Sequence, residues 1–572
     1  MKTTKTKKTL IGLSWPYANA RLHIGNVGSS LPADALARFH RLAGNDVVFV
    51  TGSDCYGTPI LIRAMQEGIA PETLAQKYHE HHERDFARLG FTFDLYSKTT
   101  ADYHKKFVMD WHTEMYGGDY IYEKAADQLY CESCKKYLPD RYVEGTCPHC
   151  RAPAKGDSCD ICGKILEPED LIEPKCKLCG GTPRPKNTTQ LYLKLSALQS
   201  KLEKYYAEKS PNWAVNAQGM AGRYLKEGLR DRAITRNIEW GVDVPRAGWD
   251  DKRIYIWAEN VLGYLSAAKE FCERSGRDWR EFLLDDTKSD KLHYYVHGKD
   301  NIPFHTIILP GLMLANPAAK YHAPDIIASS EYGLLNGKKI SKSAGNLITS
   351  EEMSDAFDPD LIRFYFLRNI NDRKDINFTF EDFVNTVNGE LINNFGNLVN
   401  RTLSFVHSKF GGVVKVFDVA DTIRTQIKDT YKAVTDLMTA GKINAALKTA
   451  FELVNFGNKY FDDCKPWLSV KSDEQLCRRN IFEIITLIAN IVKICEPFIP
   501  FSCAKVTKWL GIDVSPLSRG VADPKRSEGA DGVFDYFVHK KDFKLPPVEI
   551  LFKRLDMKEV REKFPTFFSE KT

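Results

Sequence analysis

Apolar positions near the start of the chain change period in the way a parallel α/β sheet requires. Residues 8–15 (KTLIGLSW) make a nearly continuous apolar run of strand length. PYANARLHIGN follows as a loop opening a helix, and apolar residues recur at helical spacing from Leu31 to Leu42. Residues 46–51 (DVVFVT) are a second strand-like run, ending at Gly52-Ser53-Asp54. Strand, loop, helix, strand is the order of a βαβ unit. Ligands of such sheets sit beyond the carboxyl ends of the strands, where PYANARLHIG and GSD both fall. The pattern is then interrupted by a stretch rich in Cys, Pro, Gly and Lys with little periodicity, which reads as an insertion. It returns after about residue 250, with residues 253–257 and 292–297 as strands, the latter ending at Gly298-Lys299-Asp300. From about Asp382 long amphipathic stretches dominate and strands disappear, which predicts a helical bundle. Residues 515–532 are mostly polar and read as a surface loop.

Length and charge narrow this picture. A chain of 572 residues exceeds what one core can organise and predicts roughly three to five units. The net charge of +5 neither requires nor excludes a polyanion, so an RNA partner would need a local basic surface. The most apolar stretch, residues 481–501, is broken by Glu483, Asn490, Lys493 and Glu496, whereas a membrane span needs about 20 mostly apolar residues. The basic start MKTTKTKK precedes an apolar stretch too short for a signal peptide. A cytoplasmic protein without a membrane partner is expected.

Eight of the fourteen cysteines form four CxxC pairs: Cys131/Cys134, Cys147/Cys150, Cys159/Cys162 and Cys176/Cys179. In a reducing compartment that spacing favours metal over disulfides. Two such turns make a closed tetrahedral Cys₄ site suited to structural zinc, so eight ligands make two sites. Spacing alone allows the pairs to combine in sequence or nested. A zinc ribbon that binds nucleic acid is the rival reading.

Two short elements carry the chemistry. His23-Ile24-Gly25-Asn26 stands at the start of the first helix, where free N–H groups and a partial positive charge suit phosphate. Gly25 lets a nucleoside lie against the backbone, and His23 can donate without a permanent charge. Asn336-Gly337-Lys338-Lys339-Ile340-Ser341-Lys342-Ser343 places Lys339 and Lys342 around the Ser341 hydroxyl after a glycine turn. Such a loop can close on a pyrophosphate leaving group and offset charge that develops only in the transition state. Each alone could be a helix start or a solvated basic turn.

Together these elements resemble the HIGH and KMSKS signatures of class I aminoacyl-tRNA synthetases. SWPYANARLHIGN, GSDCYGTPI, QLYCESCKKYLPDRYVEGTCPHC, RAITRNIEWGVDVP, YVHGKDNIPFH and KKISKSAGN are similar, in order, to the methionyl-tRNA synthetases, over about residues 9–552. The resemblance implies a Rossmann-type α/β catalytic domain with a zinc-knuckle insertion, followed by an all-α anticodon-binding bundle. It divides the chain into a first catalytic half (1–120), the knuckle insertion (121–232), a second catalytic half (233–330), a linker bearing the lysine loop (331–381) and the helical domain (382–572). It implies catalytic roles for His23, Asn26, Lys339 and Lys342, with Gly25, Gly298, Asp300 and Ser341 also holding ATP. Asp54 would hold the substrate ammonium, with Arg236 near the substrate. Tyr17, Trp257, Tyr264 and His305 would wall the pocket, since aromatic walls suit a polarizable thioether. It also implies nested zinc pairing: Cys147, Cys150, Cys159 and Cys162 on one ion, and the outer pairs on the other. Asn393, Asn397 and Arg401, spaced to share one helix face, and Trp467 would read the anticodon, since proteins read RNA bases in single-stranded loops.

The sequence departs from the family pattern at four places. Asn26 stands for the second histidine of HIGH. Asn260 and Val261 stand where Ala and Pro are common, and Trp15 replaces a smaller apolar residue. The expected activity is a methionine–tRNA ligase using ATP with Mg²⁺, L-methionine and tRNA(Met). The short, metal-rich insertion fits methionine better than a small aliphatic substrate, which needs a large editing insertion. A monomer is expected, because the chain ends soon after LPPVEILFKRL. The alternatives are a paralogous synthetase with altered amino-acid specificity, or a tRNA-binding protein that has lost aminoacylation.

Overall fold

The structure is a computed structural model and describes residues 6–568, except 140–141, 157–158, 160, 163, 165, 341–345, 513–533 and 535. Five parallel strands form the central sheet, in the order Ile326–Ser330, Lys291–Gly298, Lys8–Leu13, Asp46–Ser53, Leu95–Lys98. The first strand of the chain is therefore central, with later strands added on both sides. That reversal of strand order opens a crevice at the carboxyl end of Lys8–Leu13, the place where open α/β sheets bind ligands. The strands are apolar almost throughout because both faces are covered. One face packs on the Ile24–Leu42 helix and the helical half of the chain. The other packs on Asp102–Tyr116, Gly263–Arg274 and the base of the insertion.

The expected strand over residues 253–257 is shorter. Only Arg253–Ile254 pairs, and the chain then turns into helix at Ile256–Glu259. Short apolar runs do not distinguish strand from buried helix. The insertion leaves the sheet as long antiparallel strands, Ile121–Cys131 against Arg184–Leu193, with a smaller sheet of Pro153–Lys155, Val143–Thr146 and Ile172–Cys176 beyond them.

Among the described residues the C-terminal half is helical except where Val413–Val414 pairs with Phe543–Lys544. It shares a core with the catalytic half rather than hanging from it. Asp34 and Arg38 of the Ile24–Leu42 helix meet Arg363 and Glu496 in a buried ion cluster. Arg363 also donates to the carbonyls of Leu89, Pro497 and Phe498. A dry guanidinium persists only where each donor finds an acceptor, so this cluster fixes the helix that carries His23. Among the described residues no helix is long and apolar enough to cross a membrane.

Candidate active site

His23 is the N-cap of the Ile24–Leu42 helix. Its Nδ1 accepts from the backbone N–H groups of Gly25 (3.1 Å) and Asn26 (3.3 Å), and Asn26 Oδ1 accepts in return from His23 N (3.1 Å). Each side chain thus satisfies an N–H group of the helix start. Because Nδ1 accepts, the ring proton lies on Nε2. Burial lowers the His23 pKa to about 4, so the ring is a neutral donor at neutral pH. Asn26, in place of a histidine, closes the cap with its oxygen.

The lysine loop starts and ends beside this cap. Gly25 is closely packed: a Cβ there would lie 3.0 Å from His23 Cε1 and 3.1 Å from Ile340 Cδ1. Ile24 N donates to Ile348 O (3.1 Å), Ser350 N donates to Leu22 O (2.8 Å), and His23 bridges Thr349. Residues 348–350 are therefore held against residues 22–24, and the Ile340 side chain lies beside Gly25. The exposed strand Lys338–Lys339 pairs antiparallel with Gly333–Leu335, whose Leu335 is buried. Ser341 and Lys342 lie outside the described residues.

Asp300 and Lys339 are joined through Tyr332. The Tyr332 hydroxyl donates to Asp300, and its ring lies under the ammonium groups of Lys299 (3.9 Å) and Lys339 (5.0 Å). Lys299 in turn pairs with Glu331 and Asp375. Tyr332 carries no motif and sequence reading missed it. Its position depends on the carboxyl ends of two strands, Lys291–Gly298 and Ile326–Ser330, lying side by side.

The expected amino-acid residues fall in three local groups, Tyr17 with Asp54, Tyr264 with His305, and Trp257 with Phe304, while Arg236 lies apart. Tyr17 and Asp54 form a backbone bridge, with Ala18 N to Asp54 O at 2.8 Å and Asp54 N to Pro16 O at 2.9 Å. Asp54 is buried, and its Oδ1 accepts from Tyr56 N (3.2 Å). The Tyr264 hydroxyl lies 2.7 Å from His305 Nε2, while His305 Nδ1 lies 2.8 Å from Asn301 O. Nδ1 therefore donates to the carbonyl, Nε2 accepts, and Tyr264 donates. Burial lowers His305 to about 4 and so keeps it neutral. His305 sits in a π-helical turn, Phe304–Ile308, a distortion frequent at functional sites. Trp257 stacks on Phe304 with centroids 3.6 Å apart. Arg236 is drawn toward the insertion: it pairs with Glu167 (3.3 Å), donates to the carbonyls of Ala233 and Thr235, and lies over Tyr255.

The eight CxxC cysteines gather into two tetrads, Cys131, Cys134, Cys176 and Cys179, and Cys147, Cys150, Cys159 and Cys162. Within each tetrad all Sγ atoms lie within 4.8 Å of one another, and the pairs Cys131–Cys179, Cys134–Cys176, Cys147–Cys162 and Cys150–Cys159 lie 3.5–3.9 Å apart. A tetrahedron of thiolates around a zinc-sized ion has edges of about 3.8 Å, so both tetrads fit a metal. The pairing is the nested one.

In the helical half, Phe461 is a hub. Arg401 lies over its ring at 4.1 Å, donates to Asn458 O and pairs with Asp462 (both 2.7 Å). Trp467 lies 6.3 Å from the same ring and is 47% exposed. Asn393 and Asn397 are exposed on the same continuous helix. Asn393 falls in a second π-helical stretch, Val387–Gly396, which changes to α at Asn397.

Comparison with known proteins agrees with this architecture. The family described as tRNA synthetases class I (M) matches residues 9–403, and the anticodon binding domain of methionyl tRNA ligase matches residues 415–568. Methionine–tRNA ligase 1 of Alkaliphilus oremlandii is 42% identical over 501 residues, 88% of this chain and 92% of that protein. The methionine–tRNA ligase of Bacillus cereus strain 03BB102 is 39% identical over 560 residues, 98% of each. The fold is similar to that of Mycobacterium tuberculosis methionyl-tRNA synthetase bound by methionyl-adenylate, with TM-score 0.75, 22% identity, and 96% and 100% of the two chains covered.

Proposed function

The chain belongs to the methionyl class I tRNA synthetases, and from that membership we infer how its residues carry out the methionine–tRNA ligase reaction. ATP and L-methionine give methionyl adenylate and diphosphate, and a terminal ribose hydroxyl of tRNA(Met) then takes the acyl group. The methionine carboxylate attacks the α-phosphate in line. No protein nucleophile is needed, so the rate rests on positioning and on charge stabilisation.

The carrying observation is that residues 348–350 are hydrogen-bonded to residues 22–24 while the Ile340 side chain packs beside Gly25, so the lysine segment leaves and returns next to the His23 cap. ATP phosphates bound at the helix start would meet the His23 Nε2–H from one side and Lys339 and Lys342 from the other. Gly25 presents no side chain to the nucleotide, and Asn26, which caps the helix with His23, stands beside it toward the phosphates. Gly298, Asp300 and Ser341 complete the ATP contacts, with Asp300 oriented by Tyr332. Asp54 receives the substrate ammonium, and Tyr17, Trp257, Tyr264 and His305 wall its side chain. Arg236, turned toward Glu167, serves at the border of the insertion. Mg²⁺ accompanies ATP and offsets phosphate charge. The tetrads hold two structural zinc ions, closed by four thiolates each and without an open position for catalysis. Asn393, Asn397, Arg401 and Trp467 form the anticodon-reading surface. The enzyme acts as a cytoplasmic monomer.

The test is amino-acid-dependent ATP–pyrophosphate exchange across the proteinogenic amino acids, with and without Lys342→Ala. Exchange should require methionine, and the variant should lose about a hundredfold or more in rate while melting like the parent. An unchanged rate would remove Lys342 from the mechanism, and exchange driven by another amino acid would overturn the substrate assignment.

A further inference from the structure

The helix face assigned to the anticodon is not wound as its residue spacing suggests. Asn393 lies in the π-helical stretch Val387–Gly396, whereas Asn397 and Arg401 lie in the α-helix Asn397–Phe410 that continues it. An α-helix takes about 3.6 residues per turn, so four residues slightly overshoot one turn. A π turn bonds to the fifth residue, so four residues fall short of one. The π stretch therefore rotates Asn393 about the helix axis relative to Asn397, away from where continuous α winding would hold it.

One residue of a neighbouring helix holds that stretch. Asn458 lies on the helix Ile443–Cys464. It follows Gly457, where a Cβ would lie 2.9 Å from Leu398 Cδ2, so the glycine lets the two helices cross closely. Asn458 Nδ2 donates to Asn394 Oδ1 (2.7 Å) and to the Asn394 carbonyl (3.1 Å). Its third neighbour is the Val454 carbonyl at 3.3 Å. Backbone carbonyls only accept, so the nitrogen end of the Asn458 amide must face them. Asn394 Nδ2 in turn donates to Asn455 Oδ1 (2.7 Å), on the same neighbouring helix. The Asn458 carbonyl separately accepts from Arg401 Nη2 at 2.7 Å. Asn458 thus grips both parts of the face, the π part beside Asn393 and the α part at Arg401.

We propose that Asn458 is a positioning residue for anticodon recognition: by bonding both oxygens of Asn394 it fixes the π winding, and so the direction in which Asn393 is presented beside Asn397 and Arg401. This rests on the reading of Asn393, Asn397 and Arg401 as the anticodon surface. Bases in single-stranded loops are read along their edges, by hydrogen-bonding groups held in a fixed mutual arrangement. Without the Asn458 amide the stretch is free to return to α winding, which turns Asn393 off that arrangement. Asn458 acts through Asn393 and needs no contact with RNA of its own.

The test compares kcat/KM of aminoacylation for tRNA(Met) with that for transcripts in which each anticodon base is changed in turn. It uses the full chain, Asn458→Leu, Asn393→Ala and the double variant. Leucine keeps the bulk of Asn458, removes its amide and leaves its backbone carbonyl for Arg401. Asn458→Leu should lower the cognate-to-altered ratio about tenfold for at least one base, the loss of one base contact, with amino-acid-dependent exchange unchanged. In the Asn393→Ala background the same substitution should lower that ratio by less than about twofold, because residues that act through one another are not additive. A ratio unmoved at every base, or an equal further loss in the Asn393→Ala background, overturns the proposal. Asn394→Ala removes the same contacts from the other side and supplies the answer if Asn458→Leu does not fold. Arg401→Ala separates the two failures. If it leaves every ratio unmoved, the anticodon assignment itself is wrong. If it lowers a ratio while Asn458→Leu and Asn394→Ala do not, only the positioning role falls.

Discussion

Arg363 is where the catalytic half and the helical half share a charge, and Arg363→Met gives the sharpest test of how they are joined. The side chain is fully buried and its Nη2 lies 2.8 Å from Asp34 Oδ2. Three carbonyls, of Leu89, Pro497 and Phe498, accept from it at 3.0–3.2 Å. Removing one partner of a buried pair costs about 3–5 kcal/mol, chiefly because the remaining charge is left dry. Here Asp34 would retain Arg38 Nε at 2.8 Å and the N–H and hydroxyl of Thr92, both at 2.8 Å. That places the charge penalty at the low end of the range. Carbonyls that lose their donor add about 1–3 kcal/mol each if they stay dry, whereas methionine refills part of the volume. A net loss of about 4 kcal/mol follows, a large part of the roughly 5–15 kcal/mol that holds a folded protein together. In a thermal melt followed by circular dichroism this should lower the midpoint by about 3–4 °C, since the unfolding entropy of a chain this long is about 1.2 kcal/mol/K. Arg363→Lys keeps a charge without the planar fork and should fall between. The loss should persist at high salt, because a buried pair is little screened. Asp34→Asn combined with Arg363→Met should be less damaging than the sum of the two, as expected for direct partners. A midpoint within about 1 °C of the parent, or a loss that vanishes at high salt, would refute the reasoning.

Three further outcomes follow from other parts of the molecule. Burial opposes charge on His322, but the flanking carboxylates of Asp285 and Asp325 outweigh it and lift its pKa to about 9. A pKa raised on folding contributes stability that is complete below about pH 6.5 and is lost as pH rises through about 9. The parent melting point should therefore fall over that window by more than that of His322→Gln, and parallel curves would refute the ion-pair assignment. Metal analysis should return two zinc ions per chain, and Cys131→Ser should leave one and loosen the insertion to proteolysis; two ions retained in that variant would refute the tetrad. Arg401→Ala and Trp467→Ala should lower tRNA(Met) aminoacylation at least about tenfold, the loss of one base contact, while leaving amino-acid-dependent exchange intact. An equal loss in both assays would assign these residues to stability.

Much of the site was legible before any coordinates. The βαβ order, the placement of HIGN and GSD at strand ends, and the four CxxC pairs all follow from local pattern, because period, chain reversal and ligand spacing are properties of neighbouring residues. Spacing left the cysteine pairing open, and the nested order expected from resemblance matches the tetrads. Residues 253–257 were misjudged because a short apolar run fits strand and helix alike, and tertiary packing chose helix after Ile254.

What the tertiary structure alone decided lies between segments distant in sequence. His23 turned out to cap its helix and to meet Ile340 and Thr349 across more than three hundred residues. Tyr332, with no motif, ties Asp300 to Lys339 because two parallel strands end side by side. The two π-helical turns carrying His305 and Asn393 have no sequence period of their own. Trp15 and Asn260 were visible in sequence only as departures from a pattern. The burial of Trp15 Nε1 and Asn260 Nδ2 without hydrogen-bond partners depends on which residues the fold leaves around them. Sequence by itself determined the chemistry and the kind of fold, since both are written in local spacing. The partners of each side chain depend on contacts between distant segments, which only the folded chain brings together.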